Sequence, residues 1–123
     1  MDACEIPRWQ LLKTELRNLS PKEFRSQYIN ISGSVLVDVR TAEEVIEIAL
    51  AGALHVDYLA EGFLDEIEKW DRNTTYFIYC RTGRRSIRTG ILMKNWGFQN
   101  IVNLDGGLVA WQEEIGEDYS LAP

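Results

Sequence analysis

Apolar residues in this chain come in short blocks whose period alternates between that of a strand and that of a helix. "SVLVDV" (34–39) is a compact, valine-rich run that predicts a strand. Before it, "SPKEFRSQYIN" predicts a helix, with Ser20 as N-cap, Pro21 at the first helical position and Glu23 as the third-position acid of a capping box. After it, "TAEEVIEIALA" opens on Thr41 as a cap, with two acids in a first turn whose dipole favours them. "ALHV" (53–56) is a weak short strand. In "EGFLDEIEKW", Phe63, Leu64, Ile67 and Trp70 recur at helical spacing on one side, opposite the acids.

The pattern repeats further on. "TTYFIYC" (74–80) is β-branched and aromatic on successive residues, as in a strand covered on both faces. "RRSIRTGILMKNWGF" follows as a helix, with Ile87 and Ile91 four apart, Gly90 suited to close packing and Gly97 as its stop. "NIVNL" (100–104) is a strand, "DGG" a turn, and "LVAWQEEI" a last helix with Leu108, Trp111 and Ile115 on one side. Strands alternating with helices through short loops predict an α/β fold, a central parallel β-sheet flanked by helices on both faces. Ligands of such sheets sit at the carboxyl ends of the strands. The 74–80 strand ends at Cys80, so the topology alone puts this cysteine where sites are built.

Composition changes the picture little. The chain has 123 residues, 46% hydrophobic and 26% charged, which suits one domain with its own core. Two cysteines, Cys4 and Cys80, are too few for a disulfide framework and point to a reducing compartment. With a single histidine they predict no metal site. No apolar leader opens the chain and no stretch approaches a membrane span, so the expected location is cytoplasmic, with no membrane partner.

Charge changes it more. The net charge of −6 argues against nucleic acid as a partner. Yet no acid occurs between Asp71 and Asp105, an interval that holds Arg72, Arg81, Arg84, Arg85, Arg88 and Lys94. An acidic chain thus carries one cationic segment, and Cys80 lies inside it. A structural cysteine needs no cations, whereas a nucleophilic one does, because the thiolate is the reactive form. The loop Cys80-Arg81-Thr82-Gly83-Arg84-Arg85-Ser86 joins a strand to a helix. Gly83 can take the positive φ that turns backbone N–H groups inward. The helix N-terminus then adds partial positive charge. Such a nest holds an anion, or a thiolate and whatever anionic group it carries. Arg81, Arg84 and Arg85 stand ready for an anionic substrate. Cys4 has no such surroundings.

These residues resemble a single-domain rhodanese, a rhodanese-like sulfurtransferase domain. The resemblance runs from about Leu19 to Gln112 and rests on "LVDVRTAEE", "GALHV", "YFIYCRTGRRS" and "WGFQNIVNLDGGLVAW", in the family's order and spacing. It implies residues 16–118 as the rhodanese-like domain, 1–15 as an N-terminal extension and 119–123 as a C-terminal tail. The "WQLLKTEL" stretch of the extension is either a short docked helix or a mobile tail. The resemblance implies transfer of a sulfane sulfur from thiosulfate or a related donor to a thiol or cyanide through a persulfide on Cys80, with no other cofactor. The loop from Arg81 to Ser86 is expected to cradle that persulfide, with Arg81 and Arg85 orienting the donor. Asp38 and Arg40 match the family's "DVR", and their implied role is structural, holding the neighbouring loop. His55 is expected to be packed or at the surface. One departure is the segment Ile48–Ala53, where the family reads "GHIPGA" and only Gly52 and Ala53 match.

Two other readings compete. A persulfide carrier fed by a protein donor such as a cysteine desulfurase would use the same cysteine. Cysteine phosphatases and arsenate reductases also hold an anion in a Cys-to-Arg loop, but with five residues between the two. Here Arg85 is the fifth residue after Cys80 and Ser86 the sixth, so the loop is one residue short.

Overall fold

A computed structural model of the protein describes residues 8–121. Five strands form one all-parallel sheet, β1 (Arg17–Leu19), β2 (Val35–Asp38), β3 (Leu54–His55), β4 (Thr75–Tyr79) and β5 (Asn100–Leu104), in the order β1-β5-β4-β2-β3. Six helices connect and flank them: α1 (Arg8–Lys13), α2 (Pro21–Asn30), α3 (Ala42–Glu47), α4 (Phe63–Glu68), α5 (Arg84–Asn95) and α6 (Gly107–Glu114).

Side chains alternate along a strand, so a sheet covered on both faces needs two cores. Both are present. On one face Leu36, Phe77, Tyr79, Val102 and Leu104 pack with Phe24 of α2 and with Leu108 and Trp111 of α6. On the other, Val37, Tyr76, Ile78 and Ile101 pack with Phe63 and Ile67 of α4 and Met93 of α5, and Cys80 belongs to this cluster. β4 lies between β5 and β2, and four of its five residues are buried. The continuous apolar run of "TYFIY" reflects that central position.

The structure departs from the expected pattern in places, among them Ser20, which caps α2 without a side-chain cap hydrogen bond, and at the start of the described chain it decides between the docked helix and the tail. β1 is a strand that no local pattern announces: its three residues pair with Val102, Asn103 and Leu104 of β5, so tertiary pairing rather than period makes it. Leu64, expected on the buried stripe of α4, is 49% exposed, because α4 is only six residues long and turns Phe63 and Ile67 inward. The start of the chain's described part is not a loose tail. α1 lies against α5, Lys13 pairs with Asp105, and Gly90 of α5 leaves the space that a Leu16 methyl fills. In the 119–123 segment, Leu121 is buried in the core beside Trp111, Tyr119 packs on it, and the Tyr119 carbonyl accepts the Ala51 N–H. Cys4 lies outside the described residues. Among the described residues no helix is long and apolar enough to cross a membrane.

Candidate active site

β2, β4 and β5 all run the same way, so Asp38, Tyr79 and Leu104 bring their following loops to one edge of the sheet. At that edge Cys80 is only 1% exposed. The Gly83 N–H donates to its sulfur at 3.0 Å and the Ser86 N–H at 3.4 Å, with the Ser86 hydroxyl oxygen 3.5 Å away. Gly83 reaches this position with φ +106°, a left-handed conformation that favours glycine, and it caps the twelve-residue helix α5. The sulfur therefore sits on the N-terminus of a helix, where backbone donors and dipole both favour negative charge.

Cys80 is fixed from behind as well. The Leu108 N–H donates to the Cys80 carbonyl at 2.9 Å and the Val109 N–H to the Arg81 carbonyl at 3.0 Å. These donors lie in the first turn of α6, brought close by Gly107. A Cβ on Gly107 would stand 2.5 Å from the Arg81 carbonyl carbon and oxygen and 2.6 Å from the Cys80 oxygen. The "DGG" turn thus serves two purposes, reversing the chain and letting α6 dock end-on against the cysteine loop.

Of the predicted loop residues, the structure brings Gly83 and Ser86 onto the sulfur. Arg81, Thr82 and Arg84 are exposed at the rim. Arg81 lines a cleft of about 230 Å³ with Glu44, Glu47, Ile48, Leu108, Val109 and Gln112. Arg85 points to a partner that the sequence did not reveal: its Nη1 and Nη2 donate to the two carboxylate oxygens of Glu44 at 2.7 and 3.0 Å. That fork, together with the Thr41 N–H and hydroxyl at 3.0 Å, pulls the Glu44 carboxyl down to about 2. Glu44 thus closes the capping box of α3 and grips the first turn of α5 at once.

Asp38 and Arg40 form a buried pair, Arg40 Nη2 to Asp38 Oδ2 at 2.7 Å and Nε to Oδ1 at 3.0 Å. Neither side chain bonds the Cys80 sulfur. Arg40 donates to the carbonyls of Glu44 and Ile48, and the Tyr79 hydroxyl donates to Asp38 Oδ2 at 2.6 Å while accepting the Leu50 N–H at 3.0 Å. Burial and the adjacent Asp38 carboxylate push the Tyr79 phenol above its ordinary range, which keeps it a hydroxyl. This cluster joins the ends of β2 and β4, α3 and the 48–50 segment. It anchors the Ile48–Ala53 stretch without the family's usual residues. His55 Nε2–H donates to the Arg40 carbonyl at 2.8 Å and so secures the same corner.

Asn103 was also missed. Fully buried on β5, its Oδ1 accepts the Ser86 hydroxyl at 2.6 Å, and its amide donates to Asn18 Oδ1 at 2.9 Å. Asn18 in turn donates to the Lys13 and Leu16 carbonyls. The available signal was a polar residue inside a strand buried on both faces, since buried amides need partners.

A family profile described as Rhodanese-like domain matches residues 20–114. The "Adenylyltransferase and sulfurtransferase UBA4" of Debaryomyces hansenii is 31% identical over 115 residues, which cover 85% of this chain and 25% of that protein. The chain therefore spans about a quarter of that relative's length. The "Thiosulfate sulfurtransferase GlpE" of Pseudomonas savastanoi pv. phaseolicola is 27% identical over 99 residues, covering 80% of this chain and 90% of that protein. Among solved structures, a rhodanese-like domain protein from Staphylococcus aureus superposes with a TM-score of 0.70 at 25% identity, covering 81% of this chain and 95% of that one.

Proposed function

The chain belongs to the rhodanese-like domain family, and on that premise we propose that it is a sulfurtransferase that carries a sulfane sulfur on Cys80, taken from thiosulfate or a related donor. The observation that carries this reading is the sulfur of Cys80 seated on the Gly83 and Ser86 N–H groups at the start of α5. The names of relatives over most of the matched region support it.

The chemistry is a two-stage displacement. The Cys80 thiolate attacks the outer sulfur of thiosulfate, the sulfur–sulfur bond breaks, and sulfite leaves with the bonding pair. The transferred sulfur stays on Cys80 as a persulfide. A thiolate or cyanide then attacks that outer sulfur, and the bonding pair returns to Cys80. Covalent catalysis thus splits one transfer into two. The backbone donors are positioned for whichever sulfur bears the charge, and they need not reorganise between the stages. Asp38 and Arg40 act at a distance, holding Tyr79 and hence the strand that presents Cys80. The same persulfide serves a carrier that receives sulfur from another protein. The two uses differ in the donor, not in the loop.

The test is direct. Purified protein forms thiocyanate from thiosulfate and cyanide, and Cys80→Ser does not. Intact mass after thiosulfate alone rises by one sulfur, about 32 Da, because the intermediate is covalent. Full activity in Cys80→Ser, or no adduct under non-reducing conditions with any sulfane donor, overturns the reading.

A further inference from the structure

The arginine one residue before Ser86 is the natural receptor for an anionic donor, yet its fork is already filled. Both Nη atoms of Arg85 bond Glu44, and the two side chains are only 25% and 27% exposed. Glu44 is not a loose surface carboxylate that steps aside when a ligand arrives. Its Oε1 also accepts the Thr41 N–H and hydroxyl, and its backbone begins a helix. A second acid, Glu47, lines the adjacent cleft beside Arg81. A small dianion approaching the sulfur therefore meets a guanidinium whose charge is matched and whose Nη1–Nη2 fork is engaged. It must displace or share a bidentate partner, and it must approach a fixed carboxylate.

Resting on the sulfurtransferase reading, we propose that Glu44 determines donor specificity: by occupying the Arg85 fork it weakens the binding of small dianionic donors such as thiosulfate and favours donors of lower charge, of which a monoanionic persulfide is the simplest. The transfer itself is unchanged. Cys80 thiolate attacks the outer sulfur of the persulfide, the sulfur–sulfur bond breaks, and the donor's own thiolate leaves with the bonding pair. Any proton on the transferred sulfur stays with it.

The measurement separates binding from chemistry. Sulfate is an unreactive dianion, and its affinity is read by calorimetry in protein carrying Cys80→Ser. Adding Glu44→Gln removes the countercharge and releases Arg85 Nη2, while the amide oxygen still accepts from Thr41. Sulfate is expected to bind about 1.5- to fivefold tighter, the range for gaining a partly exposed charged contact. In protein retaining Cys80, Glu44→Gln lowers KM for thiosulfate by a similar factor with kcat within about twofold, and moves KM for a monoanionic persulfide less. With Arg85→Gln already present, Glu44→Gln produces no tightening. A merely structural role for Glu44 predicts the opposite sign, a weaker and looser site. Should Glu44→Gln fail to fold, Glu44→Met frees the same fork and takes its place. Unchanged or weaker sulfate binding in the folded variant overturns the proposal. Absence of sulfur transfer with tighter sulfate binding overturns instead the functional reading on which it rests.

Discussion

Replacing Gly107 with alanine tests whether end-on docking of α6 holds the cysteine loop in place. An alanine Cβ would meet the Arg81 carbonyl carbon and oxygen at 2.5 Å, where ordinary contacts begin at 3.4 Å, so about 0.9 Å must open between two backbones. No flexible side-chain tip is there to yield. The residue also sits at φ +63°, which costs a non-glycine residue about 1–2 kcal/mol. Opening the gap weakens the Leu108 and Val109 hydrogen bonds to the loop, each worth about 0.5–1.5 kcal/mol net. Together these cost about 2–5 kcal/mol, or roughly 8–20 °C in Tm for a domain of this size. A shift of about 1 Å in a reacting group costs on the order of 100-fold in rate. Gly116 supplies the control: its φ is +97°, yet nothing lies within 4 Å of a Cβ placed there. Gly116→Ala is therefore expected to lose only the backbone term and to keep its activity. Melting followed by circular dichroism, with rates measured well below both transitions, separates the two effects. If Gly107→Ala melts within about 2 °C of Gly116→Ala and keeps its rate, the close approach of α6 does not position the loop.

Three further outcomes follow from the buried polar groups and the ion pair. Tyr79→Phe removes the hydroxyl that serves Asp38 and Leu50, leaving a buried N–H and a carboxylate lone pair unmatched, and is expected to lower stability by about 2–4 kcal/mol in urea unfolding. A loss below about 0.5 kcal/mol would show that water replaces the hydroxyl. Asn103→Ala strips partners from the Ser86 hydroxyl and the Asn18 amide, for a loss of about 1–3 kcal/mol and slower alkylation of Cys80 by a neutral reagent. A reagent rate equal to that of the native protein would sever Asn103 from the sulfur. Glu44 has its folded value lowered from 4.5 to about 2, so the stability it contributes is full above 4.5 and disappears as pH falls towards 2. Glu44→Gln should flatten that part of the stability profile by on the order of 1 kcal/mol, a figure limited by partial exposure, and parallel profiles would contradict the pairing.

The sequence was most legible where local pattern and tertiary role coincide. "TTYFIYC" is apolar on successive residues because β4 is central and covered on both faces, so its character needs no partner to be read. The Gly83 turn is similarly local, since a positive φ is a property of one residue. What escaped was long-range. β1 exists only because β5 offers it a ladder, and three residues carry no period. Arg85 read as a donor-binding cation because nothing acidic lies near it in sequence. Its partner is 41 residues away and read as no more than an acid suited to a helix dipole. Thr41 was legible as a cap, but the capping box it forms with Glu44 appears only in the structure, and a capping box says where a carboxylate begins, not which second group it reaches.

The fate of the arginines changes what explains the cationic segment. Summed along the sequence, three arginines around Cys80 suggest a sulfur made reactive by side-chain charge. In the fold, the contacts to the sulfur come from backbone: Gly83 and Ser86 N–H at 3.0 and 3.4 Å, in a site only 1% exposed. Donors at that distance and burial act in a low dielectric, whereas rim charges are screened by water and salt. Arg85, the least exposed of the three, is matched by a carboxylate. Two helix N-termini also converge on residue 80, α5 on its sulfur and α6 on its carbonyl. On the proposed function, the physical division is between a backbone cradle that faces the sulfur and a charged rim through which a donor would approach it. Changes at the rim should appear first in KM and in salt dependence. Changes that move the cradle, such as a side chain on Gly107, should appear in kcat.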